Sequence, residues 1–426
     1  MRILIITQIY RPEMGALSNR LYPIVRTLVD KGHKVAVATG MPNYPAGRVF
    51  AEYRGKIFSK EVKDGHRILR TNYFTAPRNK SKLTQLLSYL TFMPAVFYSG
   101  IRAGKCDVVL ITSPPIFPVI PAIILAKIRG AKLVFDIRDL WSDELVTFGG
   151  ISENSISVKI ARKLENWGYR IADMVSATTN SLMSTVIDRG ARSDSTIYFP
   201  NGADLELFRP LPKSGAIERK YQFGDRFVVM YSGLFGIKHG LETLLEAANI
   251  LRDREDIVFF LLGNGARREQ LEKYIEEKAL DNVIIRGEID IEEVPKVISI
   301  SDVCFAAFKP EPYAGKLISV KIFEYLACEK PVVGSFEGES AKVIEESKGG
   351  IVVAPGDSQA IADAILLLQK DPARRKAMGI AGRQFVEASF SRSKWAGVFE
   401  RALADLFKQS FKASIARENE NVGTEA

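Results

Sequence analysis

Glu324 stands inside an apolar run, Ile322 to Leu326, in the stretch KLISVKIFEYLACEKPVVG from Lys316 to Gly334. A carboxylate only accepts hydrogen bonds and offers two oxygens at once, the geometry that a vicinal ribose diol presents. The plainer alternative is a solvated Glu paired to Lys321 at i,i+3, worth a few tenths of a kcal/mol. Ser319 suits the N-cap of a helix running from about Val320 through Cys328, with Lys321 in its first turn. Upstream, YSGLFGIKHGLETLLEAANIL sets Gly233, Gly236 and Gly240 beside Lys238 and His239. Glycines let backbone amides approach a phosphate, and the helix N-terminus that follows favours an anion. The same glycines serve equally well as plain turn residues. Gly263, in LLGNG, opens a second loop of this kind.

A different chemistry is offered by DIRDLWSDEL, which carries Asp136, Arg138, Asp139 and Asp143 just after a strand-like run. Asp139 is a candidate to orient or deprotonate an attacking hydroxyl; a helix cap is the competing use of any of these carboxylates. In TGMPNYPAG, Asn43 and Tyr44 could meet sugar hydroxyls, or simply form a Pro-rich turn.

Positioning these groups requires a scaffold, and its rhythm is visible. Short β-branched runs (RILIIT, KVAVATG, RILRT, DVVLITS, KLVFDIR, MVSATT, TIYFPNG) alternate with helix-period segments, then restart with FVVMYSG, IVFFLLGNG, VIIRGEI, VCFAAF, PVVGSF and GGIVVAPG. Near-continuous apolar strands between helices predict two α/β parallel sheets covered on both faces. Ligands of such sheets bind beyond the carboxyl ends of the strands, where every candidate above lies. The domains expected are 1–205 and 206–390, with a linker near 202–225. A helix at 391–410 packs on either lobe, and 411–426 forms a flexible tail.

At 46% hydrophobic and 26% charged residues the chain reads as a soluble globular protein. Its net charge of +9 comes without any zinc-finger, RRM or KH signature, so nucleic acid is not an expected partner. Cys106, Cys304 and Cys328 form no CxxC pair, which favours neither a disulfide framework nor a zinc site. MRILIIT enters a strand without the zones of a signal peptide, and a cytoplasmic location is expected. Arg78 to Lys105 has basic ends around an apolar middle broken by Gln85, Ser88 and Pro94. This is a poor spanning helix, to be read either as one lying on a membrane surface or as a buried amphipathic helix.

The order of YSGLFGIKHGLETLLEAA, LLGNGARREQLE, VIIRGEI, SDVCFAAFKPE, KIFEYLACEKPVVG and GGIVVAPGD resembles the retaining glycosyltransferases of family 4. These have the GT-B fold, two Rossmann-like domains facing across a deep cleft. YRPEMGALSNRLYPIV, ITSPPIFPVIPAII and FPNGADLELFRP look like the branch that builds bacterial surface polysaccharides, including WbuB-like enzymes. The resemblance implies that Glu324 holds the ribose and that Glu288 and Ile289, after Arg286, receive the base. It also implies that Gly15 lies against the donor diphosphate. It departs at Lys316, where the family usually carries a second glutamate, and at Leu234 and His239, where an Arg and a Lys are usual. Lys238, Lys316 and Lys321 are the replacement cations expected.

The activity implied is transfer of a sugar, UDP-linked and with an N-acetylated deoxysugar as one candidate, to a lipid-linked glycan, with Arg138 also on the acceptor side. Lys238, His239 and Lys321 would stabilise the leaving diphosphate. No Asp-x-Asp motif is present to hold a metal there, so no metal or other cofactor is expected. Two other readings stay open here: a sugar-nucleotide epimerase of the same fold, and a non-catalytic sugar-nucleotide-binding partner.

Overall fold

The apolar runs become the strands of two separate sheets in a computed structural model. It describes residues 1–13, 15–44, 47–75 and 82–423, side chains excepted at 16, 82 and 409–423. One unit comprises Met1–Phe199 and the chain from Ser393 onward; the other is Pro200–Arg392. The crossings thus fall at 199 and 392 rather than at 205 and 390. The stretch read as a linker belongs to the second unit: it contains a helix, Gly215–Tyr221, and Tyr221 and Phe223 both pack on Phe260 with ring centroids 4.9 Å away.

Unit 1 contains β1 (Arg2–Ile6), β2 (Lys34–Gly40), β3 (Phe58–Lys63), β4 (His66–Thr71), β5 (Val108–Ser113), β6 (Lys132–Ile137), β7 (Met174–Ala177) and β8 (Thr196–Tyr198). Their order is β3-β4-β2-β1-β5-β6-β7-β8, parallel except for the edge strand β3, which runs antiparallel to β4. Strand β3 was not expected from the sequence, because FSKEVK is charged and half-exposed. The signal was there in Asp64 and Gly65, both at positive φ, which make the tight hairpin turn that joins it to β4.

Unit 2 contains β9 (Phe227–Leu234), β10 (Ile257–Asn264), β11 (Val283–Arg286), β12 (Val303–Ala307), β13 (Val332–Ser335) and β14 (Gly350–Val353). All are parallel, ordered β11-β10-β9-β12-β13-β14. This is the doubly wound order, whose direction reverses between β9 and β12.

Each unit has its own core. In unit 2, Leu241, Leu244, Leu245, Ala248 and Leu251 bury one face of a helix and its end against Val229, Tyr231 and Phe259. In unit 1, Ile3, Ile5, Leu21 and Ile24 share a core with Phe199 and with Ala396, Phe399 and Leu403 of the C-terminal helix. That helix, Arg392–Gly423, continues where a flexible tail was expected; its pattern of Ala, Leu and Phe carries it past the composition change near Ser410. Residues 424–426 of the expected tail lie outside the described residues.

The basic-ended segment forms the helix Lys82–Arg102, and its first residues, 78–81, lie outside the described residues. One face is buried through Phe92, Val96 and Ser99, while Leu83, Leu86, Leu87, Leu90, Tyr98 and Ile101 are exposed along the other. The segment is therefore an amphipathic helix that packs on unit 1 by one face. Among the described residues no helix is long and apolar enough to cross a membrane.

Candidate active site

The reversal point of the unit 2 sheet brings the glycine loop together with the helix that carries Glu324. After β9 come Gly233, Gly236 and a single 3-10 turn, Ile237–His239, leading to the helix Leu241–Ile250. The loop after β12 meets it: Lys309 N donates to Lys238 O at 2.9 Å, and the His239 ring stacks on Phe308 at 5.8 Å. At Gly263 (φ +153°) a Cβ would come within 1.9 Å of Gly233 O, so only glycine lets the ends of β9 and β10 close up. Gly233 itself (φ +128°) lies against Lys321: a Cβ there would stand 3.4 Å from both Cε and Nζ.

Lys321, in the first turn of its helix, is buried and not a solvated surface partner. The helix Val320–Ala327 turns Lys321 toward β9, where Nζ donates to Tyr231 Oη at 2.8 Å and lies 4.2 Å from that ring's centre. Tyr325, one turn later, fixes the helix to the same strand by accepting from Ser232 N at 2.8 Å. Burial pushes the Lys321 ammonium down to about 7, with Lys238 adding to the fall and Glu324 opposing it. His239 is pushed well below its ordinary value, first by burial and then by Lys321 and Lys238. It is therefore a neutral ring and not one of the cations. Its Nδ1 is buried and has no hydrogen-bond partner among the described residues.

Glu324 is not paired to Lys321. Its Oε1 accepts from Arg392 Nη2 at 3.1 Å, a partner 68 positions away that local spacing could not reveal. Burial raises the Glu324 carboxyl and Arg392 pulls it back down. Ser319 occupies the N-cap position, but its side chain makes no capping bond; its backbone N–H instead donates to Ser340 Oγ at 3.1 Å. Lys316, half-buried, ends the short turn Ala314–Lys316 just before this helix. Arg286 ends β11, exposed, with Nη1 on its own Ile285 carbonyl at 2.8 Å; Glu288 and Ile289 follow on the same carboxyl edge. The donor candidates of unit 2 thus lie on one edge of one sheet, while Gly15 lies in unit 1; the partners of Glu324 and Ser319 are not the ones that local spacing suggests.

The acceptor candidates lie in unit 1, at the carboxyl ends of its own strands. Asp136 is not a cap or a surface group. It is wholly buried, bonded to Arg20 at 2.9 and 3.2 Å, to Ser176 Oγ at 2.8 Å and to Thr112 Oγ1 at 3.3 Å. Arg20 and the hydroxyls outweigh its burial and hold its carboxyl below the usual range. Arg138 commits its guanidinium inward, to Thr112 Oγ1 at 2.9 Å and Pro114 O at 2.6 Å, rather than offering it whole to an acceptor. Asp143 is an ion-pair partner of Arg189, at 2.6 Å. Asp139 is half-buried in the loop after β6, just before the helix Trp141–Thr147, whose N-cap position is held by Leu140.

Asn43 gives both amide hydrogens to the protein, to Met41 O and Tyr73 Oη, each at 2.9 Å. The Tyr44 ring sits 3.2 Å from where a Cβ on Gly15 would be, so these two loops touch. Glu13, not singled out from the sequence, holds them together: Oε1 accepts from Asn43 N and Tyr44 N at 2.9 Å and Oε2 from Tyr10 N at 3.3 Å. Burial pushes its carboxyl up to about 7 against those three bonds. A charged residue between Pro12 and Gly15 in a strand-end loop was the available sign. Among the described residues no three His, Cys, Asp or Glu side chains cluster as metal ligands.

Two doubly wound units of this kind, with cations and glycines at the reversal point of the second, have the architecture of the GT-B glycosyltransferases. The chain belongs to that class by family as well: residues 15–202 match the glycosyl transferase 4-like domain and residues 214–385 the glycosyl transferases group 1. It is 27% identical over 87% of its length to WcaI of Escherichia coli K12, a glycosyl transferase named for colanic acid biosynthesis, covering 93% of that protein. It is 25% identical to a GDP-mannose-dependent phosphatidylinositol monomannoside mannosyltransferase of Mycolicibacterium smegmatis, covering 90% of this chain and 93% of that one. Anabaena HepE, solved with UDP, matches 95% of this chain and 100% of its own at a TM-score of 0.70 and 20% identity.

Proposed function

We propose that this glycosyltransferase moves a sugar from a UDP-linked donor to a hydroxyl of a lipid-linked glycan in surface polysaccharide synthesis, with retention at the anomeric carbon. The observation that carries the reading is the juxtaposition of Lys321, Gly233 and the Lys238–His239 turn, with Glu324 one turn along the same helix. A diphosphate facing the first group would leave its ribose facing the second.

As the bond from the anomeric carbon to the diphosphate breaks, negative charge grows on the leaving oxygen. Lys321 and Lys238 stabilise it as cations, and His239 as a neutral hydrogen-bonding ring. Positive character develops on the sugar, and the acceptor oxygen forms the new bond on the face that the diphosphate leaves, its proton passing to the departing diphosphate oxygen. Asp139 orients that hydroxyl. No metal is assigned a role.

The test is isothermal titration with UDP and GDP, followed by transfer assays in EDTA with UDP- and GDP-sugars and membrane lipid extract. GDP belongs in the panel because the Mycolicibacterium relative is named as GDP-mannose-dependent. We expect UDP to bind in the micromolar range, Glu324→Ala to weaken it at least about tenfold, and transfer to persist in EDTA. Unchanged UDP affinity in Glu324→Ala would sink the assignment.

The acceptor side of the reading places the protein on the cytoplasmic face of a membrane. The exposed stripe from Leu83 to Ile101 supports this, since Arg102 and Lys105 at its end are exposed, Arg102 over the rings of Phe58 and Tyr98. Leu87→Glu with Leu90→Glu is expected to reduce cosedimentation with phosphatidylglycerol vesicles about tenfold while leaving UDP affinity as it was. Equal sedimentation of the two proteins would remove the membrane from the proposal.

A further inference from the structure

We propose that Arg392 is a positioning residue for the donor site, holding the Glu324 carboxylate in place as the two-oxygen acceptor of the donor's ribose diol. The inference rests on the ribose reading of Glu324 given above and adds to it a residue from a remote part of the chain.

The geometry is specific. Arg392 Nη2 reaches Glu324 Oε1 at 3.1 Å, with side-chain exposures of 12% and 19%, so the pair is largely shielded but open on one side. Among the described residues no protein donor is found on the other oxygen, Oε2. A carboxylate has about four acceptor positions, so one taken by Arg392 leaves enough for two ribose hydroxyls.

Arg392 is itself held firmly. Its N–H donates to Ala203 O at 3.0 Å and Ala203 N–H donates to Phe390 O at 3.0 Å, joining the two segments that connect the units. Phe390 stacks on Phe323, the neighbour of Glu324, at 4.5 Å. A Cβ on Gly202 would fall 2.0 Å from Phe390 O, so this junction leaves no room for a side chain there. The guanidinium is therefore anchored at its base and pins the carboxylate at its tip.

The charges around Glu324 give the idea a pH signature. Burial favours the protonated carboxyl; Arg392 is the strongest opposing influence, Lys321 on the same helix opposes more weakly, and Asp204 adds to the burial effect. Without Arg392 the carboxyl holds its proton to higher pH. A protonated carboxyl presents a donor where the diol needs an acceptor.

The test measures affinity for UDP and for 2′,3′-dideoxy-UDP, and for the guanine pair, from pH 6 to 8.5. The ratio of the two affinities isolates the diol, because any effect on the shared diphosphate cancels. In the wild type we expect the diol to be worth about 10- to 100-fold across this range, as for hydrogen bonds to a charged acceptor. In Glu324→Gln the ratio should fall below about 5 at every pH. In Arg392→Gln it should fall as far at pH 6 and climb as pH rises, while Arg392→Lys, which keeps the charge, should restore most of the pH 6 value. A merely structural role would lower both affinities together and leave the ratio alone.

A wild-type ratio near one, unaltered in Glu324→Gln, overturns the ribose reading and this inference with it. A high wild-type ratio that Glu324→Gln abolishes but Arg392→Gln and Arg392→Lys leave intact overturns the role of Arg392 alone. Should Arg392→Gln fail to fold, a pH-independent loss in Arg392→Lys equal to that of Glu324→Gln counts against the charge argument.

Discussion

Replacing Lys321 with methionine is expected to weaken UDP binding by at least about 30-fold at pH 6.5 and, at the same pH, to raise the unfolding temperature of the nucleotide-free protein. Both effects have one cause. Lys321 lies under the end of β9 with its ammonium on Tyr231 and against Gly233, and burial brings it down to about 7. A charge-assisted contact to a diphosphate is worth about 2 kcal/mol or more where water is largely excluded, which converts to the stated loss. Without a nucleotide the same charge has only Tyr231 and a Glu324 already paired to Arg392 to compensate its desolvation, so an apolar isostere is the more comfortable tenant.

The pH dependence has a definite sign. The folded-state value of about 7 lies below the ordinary lysine value, so between about pH 7 and 10.5 the unfolded chain binds the additional proton. Wild-type stability should therefore gain from this residue as pH rises through that window, and the methionine variant should lack the gain. UDP affinity should run the other way in the wild type, falling above pH 7 as the ammonium is lost. His239, neutral throughout, contributes to neither slope. Titration calorimetry and thermal unfolding from pH 6 to 9 check both; identical pH profiles for the two proteins would show that Lys321 does not titrate here.

The second large effect belongs to stability alone. Asp136→Ala strips Arg20, whose side chain is 5% exposed, of its counterion and two of its hydrogen bonds. An uncompensated buried charge costs about 3–5 kcal/mol. For a unit of this size that is a fall of roughly 6–20 °C in its unfolding transition. Arg20→Met added to Asp136→Ala should recover much of the loss, because it removes the stranded charge rather than a contact. Differential scanning calorimetry of the single and double variants decides the matter: a single variant within 2 °C of wild type would contradict the buried-pair account.

These two residues also mark how far the sequence could be read. Strands, sheet type and the helix around Glu324 were legible because each depends on local pattern: short apolar runs, the spacing of Ile322, Phe323 and Leu326, glycines at strand ends. The parallel sheet then told where ligands belong, and Lys238, Gly233 and Glu324 do lie on that edge. What was not legible is which charge meets which. Asp136 and Asp139 are three residues apart in one strand-end motif, yet the first is locked to Arg20 across 116 positions and the second stands in the loop beyond. Lys321 and Glu324 share a helix face on paper, yet one turns under β9 and the other goes to Arg392. Side-chain direction within a face depends on tertiary neighbours, and no spacing rule encodes it. Strand β3 was missed for a different reason: an exposed edge strand has little apolar signal, and its turn alone announced it.

The C-terminal helix has a consequence for how the protein is made. Phe399 stacks on Phe199 at 4.5 Å, and Ala396 and Leu403 fill the same core as Ile3, Ile5 and Leu21. Between those two contributions the ribosome must add the whole of unit 2, about 190 residues. At ordinary elongation rates of 5–20 residues per second, that is a delay of roughly 10–40 s. The first unit begins synthesis first but completes its core last, so its nascent sheet waits with an apolar face uncovered while unit 2 gathers an uninterrupted stretch of chain. Vectorial synthesis therefore favours the nucleotide half as the earlier finished domain, and leaves the first-made half as the one in need of protection on the way.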